Sequence, residues 1–364
     1  MVLATTPSSG RTVQLWDALS GRSWGEPLPV EGATALAAVA GAAGVERLAV
    51  GDKAGTVRIW DVESGAEVAA PRTGHGRGVS SIVALAGASL GVAAHDGSVR
   101  VSRVDDDGPA RLVREPHGYT PSFELRTVFA PDGTTRTAFS HFSVRSDGED
   151  EIVDVNAGLW DPSATVFPSG HLIRSARWPE RDFTGWSDAR GAVRLVFAEV
   201  EVEVCETRDG SVHRPRWNLG HVGAVEVFAG PDGTPWLAAG GYDGTVRLVD
   251  LATGRPARQP LFGPPEHAET LTAFRDPDGR PMLAAGYYDT VRVWDLTPPE
   301  DGTALPPSGH SGRVTVRASP DMVATYGNGD QTVRRWDQST GEEVGEPIMV
   351  NDRRLTSKVD ASLA

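Results

Sequence analysis

The sequence predicts an all-β fold, a closed β-propeller of four-stranded antiparallel blades, on three observations. A β-branched phrase recurs along the chain, its neighbouring copies are regularly spaced, and turn residues keep the same phase around it. Copies begin at positions 12, 56 and 98 and again at 245, 290 and 332, so neighbours are 44, 42, 45 and 42 residues apart. A period of about 40–45 residues is typical of four strands per propeller blade.

Each copy of the phrase reads as a strand. In Thr56-Val-Arg-Ile-Trp-Asp61 apolar and polar residues alternate, and β-branched residues favour extended backbone. A turn such as Asp96-Gly97 or Asp243-Gly244 precedes the strand, and a turn such as Ser64-Gly65 follows it. Gly-His pairs then precede the next unit, at Gly74-His75, Gly170-His171, Gly220-His221 and Gly309-His310.

Together, the Gly-His and Trp-Asp signatures resemble those of the WD-repeat family, over nearly the whole chain and weakly between residues 104 and 216. The arginine- and alanine-rich composition suggests a bacterial type. The resemblance implies that the Trp-Asp phrase is the third strand of each blade. It also implies that the recurrent histidines, with His117 and His267 as equivalents, join a buried hydrogen-bond network with a strand Ser or Thr, the turn Asp and the third-strand Trp.

The number of blades is predicted from the length of the stretch in which the repeat is hard to recognise. Ser98 and Thr245 begin phrases 147 residues apart, which fits three spacings with an insertion. Two degenerate blades are therefore expected there, with third strands at 152–161 and 201–206. The result is eight blades in a single domain, 1–364, with an irregular sector at 104–216. A seven-bladed ring is the alternative.

Ring closure is predicted from the two ends. Residues 1–6 look like a second strand, so the first blade lacks an innermost strand. Residues 354–360 resemble innermost strands elsewhere, and we expect them to complete the first blade and remove two exposed edges.

Composition narrows the function. With 35 Lys+Arg against 49 Asp+Glu, the net charge of −14 disfavours nucleic acid and anionic membranes and makes basic or neutral partners easier to accommodate. Cys205 is the only cysteine, which excludes an intramolecular disulfide and a cysteine-based zinc site. No leader-like segment or long apolar run is present, so a cytoplasmic location is expected. The oligomeric state is not predicted, and no metal or cofactor is expected.

Partner-binding residues are expected on the narrow-channel face, the docking face that the resemblance implies. Tyrosine and arginine supply area and directed hydrogen bonds at interfaces. The turns before third strands and the loops after Gly-His pairs supply the candidates Arg77, His95, Arg174, Tyr242, Tyr288 and Arg313.

The irregular sector supplies a second set of candidates, for ligand binding: Tyr119, His141, Trp178 and Trp186. The tryptophans either plug a misshapen blade or form an aromatic lip. Residues 145–151 are acidic and read as a solvated hairpin loop. Glu199, Glu201 and Glu203 alternate with apolar residues and predict an exposed acidic face of one strand or, less simply, a dock for an Arg-rich partner.

No catalytic residues are predicted. Neither a zinc-binding His-Glu-x-x-His nor a phosphate-binding glycine loop ahead of a helix is present. The sequence therefore predicts a non-catalytic scaffold that binds a protein or peptide. An enzyme or small-molecule binder that uses the central cavity or the irregular sector is the alternative.

Overall fold

Strands make up all the regular secondary structure that the computed structural model describes. It describes residues 2–6, 12–41, 45–106, 108–116, 123–130, 136–147, 150–164, 167–168, 171–176, 182–188, 191–198, 202–288 and 290–297, and the strands at 314–318, 322–327, 332–337 and 348–349. Only the backbone is described for 142–147, 150–154, 171–176 and the four strands from 314 onward.

Eight antiparallel sheets are formed by the described residues. The first four contain β1 (Val2–Thr5) and β2 (Gln14–Asp17); β3 (Ala33–Ala40), β4 (Glu46–Asp52) and β5 (Val57–Asp61); β6 (Val79–Leu85), β7 (Ser89–Ala94), β8 (Val99–Arg103) and β9 (Arg111–Arg114); and β10 (Phe123–Val128), β11 (Arg136–Asp147), β12 (Asp150–Trp160) and β13 (His171–Ala176).

The second four sheets continue the order. They contain β14 (Phe183–Ser187), β15 (Val193–Phe197), β16 (Glu203–Glu206) and β17 (Val212–His213); β18 (Val222–Ala229), β19 (Pro235–Gly241), β20 (Thr245–Asp250), β21 (Arg255–Pro256) and β22 (Leu261–Phe262); β23 (Thr270–Arg275), β24 (Pro281–Gly286) and β25 (Val291–Asp295); and β26 (Val314–Ala318), β27 (Met322–Gly327), β28 (Thr332–Asp337) and β29 (Ile348–Met349). Consecutive strands pair within each sheet, except that β22 pairs with β20 instead of β21.

Where the recurrent phrase is well buried, both of its faces are covered. In β5, Val57 and Ile59 are buried on one face, while Trp60 is buried beside Leu48 of the second strand. Branched side chains fit such a pleated surface between two neighbouring sheets.

Consecutive sheets lie side by side through their first strands. Strands β3, β6, β10, β14, β18 and β23 contact one another in that order. Hydrogen bonds join them: the Leu125 amide donates to Ser81 Oγ over 2.8 Å, and the Val227 amide donates to Thr184 Oγ1 over 3.2 Å. Donor and acceptor are 44 and 43 residues apart, one repeat. Each repeat thus stacks on its neighbour, as in a propeller.

Side chains at the outer edge tie the same neighbours together. A side chain in a loop or outer strand of one sheet donates to backbone carbonyls of the next sheet. These carbonyls lie at or just after the end of the third strand. Arg72 Nη2 reaches three such carbonyls within 3.0 Å. The equivalent bonds are Trp24 to Val62, Arg111 to Pro162 and Arg258 to Asp295.

The hydrophobic core lies between neighbouring sheets. One cluster combines Val196 and Val204 with Val225 and Leu237 of the following sheet. Cys205 is buried in another cluster, with Phe183 and Leu195, and burial raises the pKa of its thiol to about 12. This confirms the interpretation of Cys205 as a core residue, since a nucleophile needs the thiolate.

Both expected degenerate third strands are present, as β12 and β16. Residues 147 and 150 close a hairpin, as expected of the acidic loop. Glu199 and Glu201 of the predicted acidic face lie outside the described residues. The prediction is wrong for Glu203, which begins β16 and pairs with Phe197 at the end of β15, so the chain reverses between them. Glu203 is buried and pairs with Arg214 over 2.6 Å.

Only one of the two ends in the closure prediction lies within the described residues. The segment at the N-terminus forms β1, which pairs with β2 as a second strand should. Residues 354–360 lie outside the described residues, so the predicted pairing of the two ends stays a prediction.

Candidate functional site

The turns that precede the third strands place three of the candidate residues in equivalent positions. His95, Tyr242 and Tyr288 each follow the second strand of their sheet by one or two residues. The His95 amide donates to Gly78 O over 2.9 Å, and the Tyr242 amide donates to His221 O over 3.1 Å. These turns therefore lie at the same end of the sheets as the loops that enter the first strands.

At this end Tyr242 lies between two histidines from neighbouring sheets. Its ring centroid is 4.1 Å from that of His221 and 4.0 Å from that of His267, and both pairs are nearly parallel, at 14°. His221 precedes β18 and His267 precedes β23, so the stack spans two sheets. Stacked aromatic pairs add about 0.5–1.5 kcal/mol per pair beyond area burial.

Gly223 makes room for the stack. A Cβ atom at this position would lie 1.9 Å from Nε2 of His267. Only glycine therefore lets the imidazole lie flat over the start of β18.

The Tyr242 turn is fixed by an ion pair. Arg247 Nη2 lies 2.8 Å from Asp243 Oδ2, and Arg247 Nη1 donates to Leu219 O over 3.0 Å. Burial would raise the pKa of Asp243, but its hydrogen bonds with Arg247 and Thr245 hold that pKa below its usual value. The turn is therefore held rigidly under the exposed tyrosine.

A second tyrosine turn is joined to the first. The buried Tyr287 hydroxyl donates to Gly244 O over 3.1 Å. Burial raises the pKa of this hydroxyl to about 12, which keeps it a donor. The adjacent Tyr288 is 69% exposed and Tyr242 is 41% exposed. We call His221, Tyr242, His267 and Tyr288 the rim.

Three of the four members of the histidine network that the resemblance implies are present in one unit, which has Ser102 at the position of the third-strand Trp. His75 Nδ1 lies 2.7 Å from Ser98 Oγ, which is 2.5 Å from Asp96 Oδ1, and Asp96 Oδ2 accepts from the Gly76 amide. Burial, with a smaller contribution from Arg100, lowers the pKa of His75 to about 4 although Asp96 opposes the shift. His75 is therefore neutral at physiological pH, as a structural residue.

His221 departs from that expectation. It occupies the recurrent position but its side chain is exposed and lies against Tyr242. Reading all recurrent histidines as buried is therefore wrong for this unit. The signal that marks it is Tyr242, a large flat residue at the turn position, together with Gly223 two residues after the histidine.

Of the other four partner-binding candidates, two lie in the loops of another sheet and two have no described side chain. Arg77 is exposed in the loop before β6, and His95 is partly buried in the turn after β7. Arg174 lies in β13, of which only the backbone is described. Arg313 lies outside the described residues.

Two of the four ligand-binding candidates have described side chains. Trp186 is buried in the core with Val196 and Val225, the place that the plug interpretation gives it, and its ring has almost no surface left for a ligand. His141 stacks on Phe123, with ring centroids 5.5 Å apart. Tyr119 and Trp178 lie outside the described residues.

A serine motif occurs in a place that argues against catalysis. Residues 87–91 read Gly-Ala-Ser-Leu-Gly, which matches the Gly-x-Ser-x-Gly pattern of a nucleophile elbow. Such an elbow joins a strand to a helix, whereas these residues turn from β6 directly into β7. The Ser89 hydroxyl donates to Gly87 O over 3.3 Å, so it belongs to the hairpin turn.

Within the described ranges, no group of three or more His, Cys, Asp or Glu side chains is arranged to hold a metal ion. The same ranges contain no helix that could cross a membrane.

Fold and site together define a propeller-like, all-β repeat protein with an aromatic rim. The model of the WD domain, G-beta repeat, matches residues 214–250, the unit that contains β18, β19 and β20. This unit of the chain is therefore similar to a WD repeat, a kind of repeat that generally mediates interactions between proteins. A comparison with curated proteins finds no match.

Proposed function

We propose that this chain is a non-catalytic scaffold that binds a protein or peptide partner through the rim, on the narrow-channel face. The observation that carries the proposal is the His221–Tyr242–His267 stack, which presents three rings from two sheets beside the exposed Tyr288. Large aromatic residues held rigidly lose little entropy on binding, and they dominate the energetics of many interfaces.

Charge around the rim favours a basic or neutral partner. Glu266 and Glu269, on either side of His267, are both exposed. Arg247, which fixes the Tyr242 turn, is already paired with Asp243. With a net charge of −14 on the whole chain, a basic segment would approach this surface faster than an acidic one.

The proposal is tested by comparing variants in affinity capture from lysate of the cells that produce the protein. Replacing Tyr242 and Tyr288 together with alanine is expected to weaken binding of a captured partner at least about tenfold, because two anchors are truncated. The matched control is Leu19→Ala, which removes an exposed apolar side chain from the turn after β2, at the opposite end of the sheets. A partner bound equally by both variants and by the wild type would refute the rim as its site.

We further infer that the ring is closed and eight-bladed, with residues 354–360 completing the first blade. Support comes from the eight described sheets and from β1, which pairs with β2 on one side and has no described partner on the other. Closure would cover that edge, which otherwise invites pairing with another chain. The composition supports a bacterial source.

Closure predicts that the C-terminal residues contribute to stability. Removing residues 351–364 is expected to lower the midpoint of urea unfolding and to promote self-association, because both ends of the ring lose their partner. Removing 361–364 alone is the control and should leave both properties unchanged. An unchanged midpoint in the longer truncation would contradict closure by this segment.

A further inference from the structure

Two carboxylates stand beside the rim, on the loop that joins β22 to β23. They belong to Glu266 and Glu269, on either side of His267, and both side chains are exposed. The described part of the chain provides no ion-pair partner for either of them. We call Glu266 and Glu269 the rim carboxylates.

Main-chain hydrogen bonds fix this loop to both tyrosine turns. The Ala268 amide donates to Gly241 O over 3.2 Å, just before the first tyrosine turn. The Glu269 amide donates to Gly286 O over 2.9 Å, just before the second tyrosine turn. The rim carboxylates therefore lie on a segment that is held between the two turns.

Exposed aromatic rings lie at the same end of the sheets. Tyr288 is 69% exposed, the largest exposed fraction of any large hydrophobic side chain that the structure describes, and Phe262 is 51% exposed. Phe262 pairs with Thr245, the first residue of β20, which places it at the rim end. Flat rings beside carboxylates suit a guanidinium, which stacks on an aromatic face while its N–H groups donate to carboxylate oxygens.

The arginines described near the rim leave negative charge in excess. Arg247 is engaged with Asp243 through Nη2 and with a backbone carbonyl through Nη1. Arg292 of β25 is exposed and lies close enough to the Tyr287 hydroxyl to oppose the rise of its pKa. Since the Asp243–Arg247 pair cancels, two rim carboxylates stand against one arginine, and this surface attracts a further cation.

We propose that the rim binds an arginine side chain of its partner, with the guanidinium stacked on the exposed Tyr288 ring and paired with the rim carboxylates. Because it assumes that a partner docks at the rim, this assignment rests on the proposed function. Arginine fits better than lysine, since a planar guanidinium stacks and donates two parallel hydrogen bonds, whereas an ammonium is a compact and strongly hydrated charge.

The test uses a fluorescently labelled peptide of alternating glycine and arginine, with its binding to the full chain followed by fluorescence anisotropy. Two further peptides carry lysine, or citrulline as an uncharged isostere, in place of arginine. At about 0.15 M salt we expect the arginine peptide to bind at least about fivefold more tightly than either of the others. The net charge of −14 attracts arginine and lysine alike, so equal binding of these two peptides would overturn the proposal.

A pair of substitutions locates the binding. Glu266→Gln combined with Glu269→Gln should weaken the arginine peptide at least about fivefold, because two ion pairs are lost. The matched control combines Glu46→Gln with Glu63→Gln, which removes the same charge from exposed side chains at the opposite end of the sheets. All four side chains are exposed, so both variants should fold. An equal loss in the two variants would show an effect of net charge alone and would overturn the proposal.

Failure of this proposal can be told apart from failure of the proposed function. The arginine assignment alone is overturned if the rim-carboxylate variant binds the arginine peptide as the wild type does, while the Tyr242→Ala and Tyr288→Ala double variant still loses the captured partner. If that double variant keeps the captured partner, the rim itself is refuted as its site.

Discussion

Replacing Gly244 with alanine is expected to lower the free energy of unfolding by about 3–5 kcal/mol, the largest effect of any substitution considered for this protein. Gly244 has a φ of +80°, and a Cβ atom there would lie 1.8 Å from Pro264 O and 2.9 Å from Pro264 C. These are backbone atoms of the next loop, so no side-chain rotation relieves the overlap. Either the Tyr242 turn or the 263–266 loop must move.

A substitution at Gly244 would also shift the Gly244 carbonyl, which links the Tyr242 turn to the Tyr288 turn. Gly244 O accepts from the Tyr287 hydroxyl and from the Gly263 amide. A shift of the turn therefore weakens its link to the Tyr288 turn, and we expect partner binding to fall together with stability.

Gly233→Ala is the matched control. Gly233 has a φ of +82°, but a Cβ atom there would have no heavy atom within 4 Å. Its cost is the backbone conformation alone, about 1 kcal/mol. Urea unfolding of both variants checks the prediction, and a difference of less than about 1 kcal/mol between them would contradict the described contact with Pro264.

Acid is expected to destabilise the protein through His75. Burial lowers the pKa of His75 to about 4, whereas an unfolded histidine titrates near 6.5. Between these values the unfolded chain binds more protons than the folded protein, so stability falls as the pH falls. From about pH 7.5 to about pH 5 this residue should account for a loss of about 2 kcal/mol.

The loss is measured as the difference between the wild type and His75→Gln in urea unfolding at the two pH values, because Gln does not titrate. His213→Gln is the control, since His213 is exposed at the outer strand β17. If His75→Gln loses as much stability in acid as the wild type, His75 is not the buried neutral residue that the network with Ser98 requires.

The regular part of the fold could be predicted because one interaction is repeated. In the phrases that form β5 and β20 the apolar residues are buried between neighbouring sheets, and the same residue types return at the same phase along the chain. Even the weak units at β12 and β16 followed from counting residues between regular ones. The exposed position predicted for Glu203 was wrong because alternation alone does not show where a strand turns back. The hairpin after Phe197 puts Glu203 into the interior, paired with Arg214.

The rim could be predicted only in part. Tyr242 and Tyr288 were identified as candidates because the turn position presents them at one end of the sheets. The two histidines that stack on Tyr242 were not identified as candidates. His221 and His267 recur in phase with His75, so they were expected to share its buried role. What separates them is local packing: Gly223 leaves space for the His267 ring, and Tyr242 offers a flat surface on both sides. The ion pair of Arg126 with Asp182 could not be predicted either, since the two residues are 56 positions apart in the least regular part of the sequence.

The most direct test of the central claim, that the rim is the partner-binding surface, is site-specific photo-crosslinking in the cells that produce the protein. A photoreactive phenylalanine at position 288 should form an adduct with a discrete partner, and one at position 19, at the other end of the sheets, should not. The same adduct from both positions, or an adduct from position 19 alone, would contradict the account.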